Sequence, residues 1–178
     1  MTTNLRTLHR ILAVIALATL AGGLAGCSTA AKPRGGQTSK AARAALAAIP
    51  GVTDAEVGID DNMSGFSHTY DTDVSVTLAP GYRVADPSEF LSFLIRTAWS
   101  VNDRKPTSLV DIAITGSTID LPSLAVQAGW MTETQADNAI PLDGNLVLIV
   151  NNEPAKSKLG AWPGKAPSLP DGVLVKKQ

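Results

Sequence analysis

One cysteine, Cys27, and two histidines, His9 and His68, are all that 178 residues hold of the side chains that make disulfides and most zinc sites. An internal disulfide needs a second thiol, and structural zinc takes four ligands drawn largely from Cys and His, so both devices are excluded by count. No G-x-S-x-G elbow, no glycine-rich phosphate loop after a strand and no pair of carboxylates set for general acid and base work can be read in the chain. These absences shift weight from catalysis to binding or assembly, and nothing calls for a cofactor. Basic residues are scarce in the middle: from Gly51 to Asn152 there are four, Arg83, Arg96, Arg104 and Lys105, against fourteen acids, a net of minus ten. Phosphate backbones repel such a body, so nucleic acid is not expected as a partner. Long apolar runs are missing too. The longest, from Ile11, is roughly sixteen residues, short of the roughly twenty of a membrane span, and Gly22, Gly23 and Gly26 weaken its end as a helix.

What is present begins at the N-terminus. "MTTNLRTLHR" carries Arg6, His9 and Arg10 without an acid, and "ILAVIALATLAGGLAG" follows without a charge. A basic n-region before an apolar h-region is the pattern of a cleaved signal peptide, here residues 1–26. Leu24-Ala25-Gly26-Cys27 closes it and resembles the lipobox of bacterial lipoproteins: an apolar residue, two small ones and the acceptor cysteine. The resemblance implies a diacylglyceryl group on the Cys27 thiol, cleavage just before it, and a mature chain tethered to the extracytoplasmic face of the cell membrane. Two acyl chains suffice for stable anchoring, since each buried methylene contributes about 0.8 kcal/mol. Cleavage also removes His9 and leaves His68 alone.

Residues 27–39 read as a flexible linker rich in Gly, Ser, Thr, Pro and Lys. Residues 40–152 hold the periodic segments of one domain. Residues 153–178 contain four prolines, three glycines and five lysines without periodicity, and are expected to form an irregular or disordered tail.

Within the domain, Lys40–Ile49 is rich in helix formers, with Ser39 as the expected N-cap and Pro50-Gly51 as the stop. "TDAEVGID" and "DVSVTL" alternate apolar and polar residues, which predicts two strands, each with one wet face, joined by a long hairpin loop "DNMSGFSHTY". Asp86-Pro87 opens a second helix whose stripe is Phe90, Leu91, Leu94, Ala98 and Val101. "SLVDIAIT" follows as a strand parallel to its predecessor. Short helices are expected over Pro122–Ala128 and Thr132–Ala139, the second from the capping-box spacing of Thr132 and Gln135. Asp143-Gly144 signals a turn, and Leu146–Val150 reads as a strand with both sides covered or as an edge partner of the core. The fold class is therefore α+β: a two-layer sandwich of a small, mostly antiparallel sheet with helices on one face. In pattern it is similar to ferredoxin-like folds lacking their first strand.

Several side chains are candidates for function. Asp60, Asp61 and Asn62 leave one strand and Asp71 and Asp73 enter the next, hard oxygen donors of the kind calcium takes. Ser64, Ser67 and His68 lie close in sequence to Asp71 and Asp73, the residue types a hydrolase triad requires. Glu56, Asp73, Ser75, Thr77 and Asp111 make an acidic outer face to the sheet. Trp162, in an otherwise polar tail, is a candidate anchor for a protein partner in the envelope. The leading expectation is a lipid-anchored, non-enzymatic binding or interaction lipoprotein; a calcium or small-ligand binding lipoprotein and a cell-envelope hydrolase are the alternatives.

Overall fold

A computed structural model of the chain describes residues 35–138 and 145–177. The expected signal peptide, Cys27 with its lipobox, the linker to Arg34 and the Asp143-Gly144 turn lie outside the described residues. Gly35–Thr38, expected as linker, already belong to the fold: the Gln37 amide donates to the Ser100 carbonyl at 2.9 Å, and the Gln37 carbonyl accepts from Asn102 at 2.8 Å. Helix α1 spans Ser39–Ala47 and is capped by Thr38, not Ser39. The reason is local. The Thr38 hydroxyl accepts from the Ala41 amide at 3.1 Å, whereas the Ser39 amide donates to the Asp103 carboxylate of a distant loop.

Strand β1, Val52–Ser64, and strand β2, Ser67–Leu78, pair antiparallel from end to end, closing at Ser64 opposite Ser67. This corrects the expected long loop. Its Asp, Asn and Ser residues favour turns in isolation, yet here they continue a two-stranded ribbon, and only Gly65 and Phe66 turn. Gly65 supplies the positive φ, 63°, that two-residue hairpins require. Met63 and Phe66 stand exposed at the tip.

Strand β3, Tyr82–Val84, precedes helix α2, Pro87–Ser100. As expected, Asp86 caps α2 and Pro87 occupies its first turn, where the missing amide hydrogen costs nothing. Phe90, Leu91, Leu94 and Ala98 are fully buried along its stripe. Strand β4, Leu109–Thr115, returns beside β2 as a parallel neighbour, Thr72 opposite Val110 and Thr77 opposite Thr115. Helix α3, Leu121–Gln127, is capped by Asp120, and helix α4, Glu133–Asp137, has the full capping box of Thr132 and Gln135. Strand β5, Leu146–Ile149, pairs antiparallel with β4.

The sheet order is β1-β2-β4-β5, with β2-β4 the one parallel pair. Val74, Val76, Val110, Ile112, Leu146 and Leu148 point inward and meet α1, α2 and α3 in one hydrophobic core. The architecture is α+β and compatible with a two-layer sandwich, a four-stranded mixed sheet beside a small two-stranded one. Among the described residues no helix is long and apolar enough to cross a membrane.

The expected irregular tail is a second correction. Helix α5, Ala155–Leu159, and strand β6, Leu174–Lys176, lie within it, and β6 pairs with β3. Ala155, Leu159 and Val173 are buried in the core, and Trp162 packs against it with its indole N–H donating to the Val101 carbonyl at 3.1 Å. The prolines exclude long elements here without excluding packing.

Candidate functional site

Strand alternation sorts the sequence-predicted candidates onto two faces, because successive side chains point to opposite sides. The β1–β2 register sets Asp60 opposite Asp71, and the β2–β4 register sets Asp73 opposite Asp111, all on the outer face with Glu56, Ser75 and Thr77. Asp61 faces the other way. Its carboxylate meets His68 Nδ1 at 2.8 Å, and His68 stacks on Tyr70, over which the Arg104 guanidinium lies 4.6 Å from the ring centroid. Asp61 is thereby set apart from Asp60, Asp71 and Asp73, which share the outer face, and among the described residues no group of three or more His, Cys, Asp and Glu side chains is placed to hold a metal ion. The hydrolase grouping separates for the same reason: Ser64 and Ser67 take the outer parity and His68 the inner one.

Asp71 is engaged in structure, its Oδ1 accepting from the Leu109 amide at 2.9 Å and its Oδ2 from Asn62 at 2.8 Å. Asp73 is different. Partial burial, then the charges of Asp60 and Asp111, a hydrogen bond with Asp60 and the charge of Asp71 push its carboxyl up to about 6. Burial likewise raises Asp111, against a lowering hydrogen bond from the Ile112 amide. Among the described residues, one Asp111 oxygen, Oδ1, is buried without a hydrogen-bond partner.

Asp111 also lines a cleft of about 460 Å³ along β5. Leu109, Val147 and Ile149 form its sheet side, and Trp130 and Met131, from the turn between α3 and α4, form a second wall. Trp130 is held rigidly, its indole N–H donating to Ser92 at 3.0 Å and the Lys158 ammonium lying 5.1 Å from its ring centroid. Thr134, Gln135 and Asn138 of α4 and its C-cap complete the rim. Gln135 is tied down at both ends of its amide, to the Thr132 amide and the Glu153 carbonyl, and Asn138 donates to the Thr134 carbonyl. The polar rim is thus largely committed to the scaffold. Among the described residues, Asp111 brings a carboxyl with one buried oxygen unpartnered to the apolar side of the cleft.

Of the two readings of Leu146–Val150 the edge strand is the one found: β5 is last in the sheet, Leu146 and Leu148 are buried, and Ile149 is 43 % exposed. "LVLIV" carries the signal for it, since a strand apolar on both sides has either two covered faces or one that awaits a ligand. Trp162, the candidate anchor, is half-buried on the domain and distinct from the cleft lining.

No known protein family, no curated protein and no solved structure matches the chain.

Proposed function

We propose that this chain is a lipid-anchored lipoprotein of the extracytoplasmic membrane face that acts by binding, with the cleft along β5 as its binding site. The Leu24–Cys27 motif after a basic and apolar leader supports the anchor. The observation that carries the binding role is the cleft itself: about 460 Å³ lies within the size range of ligand sites, and apolar walls with a few fixed polar groups are their usual composition. Leaving such surface in water forgoes roughly 25 cal/mol for each Å², so an open apolar cleft is a feature that stability alone does not favour.

The test has two readouts on the full-length chain. Metabolic labelling with an alkyne fatty acid should mark the wild-type protein in the membrane fraction, and Cys27→Ala should abolish the label and release the chain; a labelled, membrane-bound Cys27→Ala protein overturns the anchor. Nile red, an uncharged apolar dye, should brighten on the purified protein and lose most of that signal with Ile149→Asp. An equal signal from both proteins overturns the cleft as the binding site.

A further inference from the structure

We infer that the open edge of β5, together with the cleft beside it, takes up an extended segment of a partner protein that presents apolar and basic side chains in turn on the one face it lays over the cleft, and that this segment joins the sheet as an added strand. This rests on the proposal that the cleft is the binding site and specifies its occupant.

The backbone supplies the first argument. β5 is the last strand of its sheet. The Val150 amide donates to the Ser108 carbonyl at 3.1 Å, which fixes the alternation: Leu148 opposite Val110 and Leu146 opposite Ile112 form the hydrogen-bonded pairs with β4. The N–H and C=O groups of Val147 and Ile149 therefore point to the open edge. The Ile149 carbonyl accepts from Asn152, while among the described residues the Ile149 N–H and both Val147 groups have no partner. Edge strands are commonly blocked by a charge, a proline or a bulge. Leu146–Ile149 has no charged residue and no proline.

Side chains supply the second. An added strand hydrogen-bonded to Val147 and Ile149 lays alternate side chains on the outer face, where the cleft offers Leu109, Val147 and Ile149 as an apolar floor. A compact apolar molecule would fill the same floor and leave the row of backbone groups unmet.

Charge supplies the third. None of β1, β2, β4 or β5 contains Lys or Arg. From the cleft inward, the outer face runs from Asp111, opposite Val147, to Asp73 on the neighbouring strand, with Asp71 and Asp60 beyond. Glu56, on the far edge strand, has its own cation in Arg43 at 3.2 Å; among the described residues Asp111, Asp73, Asp71 and Asp60 have no ion pair, and their complementary cations come from the partner. A Lys or Arg on the added strand has about two strand spacings, roughly 10 Å, between its backbone and that of Asp111, a gap closed by its own long side chain and the aspartate reaching toward it.

The probe is a synthetic, end-blocked octapeptide, Leu-Thr-Lys-Thr-Leu-Thr-Lys-Thr, whose Leu and Lys share one face of a strand, titrated into the full-length protein in neutral detergent. Controls are the Leu/Glu analogue and the Leu/Lys peptide with every amide N-methylated, which keeps the charge and deletes the strand donors of both edges. Expected are saturable binding of the Leu/Lys peptide, at least tenfold weaker binding of both controls, a Kd raised at least fivefold by Asp111→Asn, and hydrogen exchange slowed at least tenfold at the Val147 and Ile149 amides. Binding that ignores N-methylation, or protection that spares those two amides, overturns the inference as non-specific attraction to an acidic protein. Nile red binding that depends on Ile149 with no peptide binding overturns it in favour of a small apolar ligand and leaves the binding role standing. Neither probe binding overturns both.

Discussion

At Asp73, partial burial and three neighbouring carboxylates oppose ionisation, and the carboxyl titrates near 6 in place of 3.8. Between those values the folded chain holds a proton that the unfolded chain has lost, so stability falls as pH rises from about 4 to about 6 and stays lowered above it. Asp73→Asn removes the opposed charge. Its expected effect at pH 7 is a gain of about 1 kcal/mol, the full shift being discounted for a partly solvated group, with little difference from wild type at pH 4. Urea denaturation of both proteins at the two pH values checks this, and an equal difference at pH 4 and pH 7 would remove the electrostatic explanation. Natural sheets place opposite charges across from each other more favourably. That this one sets acid beside acid on one face is the residue-level trait that fits a cationic partner.

Among the elements, β4 ends where the chain must leave the sheet next to the end of β2. Gly116 makes that exit with φ 83°, and a Cβ there would sit 2.8 Å from the Leu78 carbonyl oxygen. A backbone oxygen within a paired strand cannot swing aside as a side chain would. Gly116→Ala is therefore expected to cost about 1–3 kcal/mol, read as a lowered urea midpoint with unchanged m-value; a midpoint within a few tenths of a kcal/mol of wild type would show that the strand ends relax freely. Helix α2 was fully legible because its signals are local: the Asp86 cap, Pro87 and an apolar stripe all act within a few residues. The β1–β2 hairpin was legible only in its outer halves. Its tip residues are turn formers one by one, and it is cross-strand pairing that keeps Asn62 opposite Thr69 and Ser64 opposite Ser67.

For the molecule as a whole, the C-terminal segment is a structural part. It delivers Ala155, Leu159 and Val173 to the core, lays Trp162 on Val101 and pairs β6 with β3. A chain ending at Asn152 leaves those cavities open and β3 without a partner. Each large buried side chain lost from a core costs about 2–5 kcal/mol, and whole domains are stable by only about 5–15 kcal/mol. The truncated chain is expected to lose its near-ultraviolet circular dichroism and its cooperative urea transition; a sharp transition within 1 kcal/mol of the full chain would make the segment an appendage.

By itself the sequence determined what local physics can determine: helix α2 and its cap, the capping box at Thr132 and Gln135, the alternating inner and outer faces of the strands, and hence the α+β class. It also placed Glu56, Asp73 and Asp111 on one outer face, since alternation needs no knowledge of the partner strand. Only the tertiary structure decided which strands meet. The pairing of Tyr82–Val84 with Leu174–Lys176 joins two three-residue strands about ninety residues apart, too short for any period and too distant for any turn to announce. The same holds for the cleft: its walls come from β4, β5, α4 and the turn after α3. Whether Ile149 is covered depends on what stands across from it, which no window of sequence around it contains.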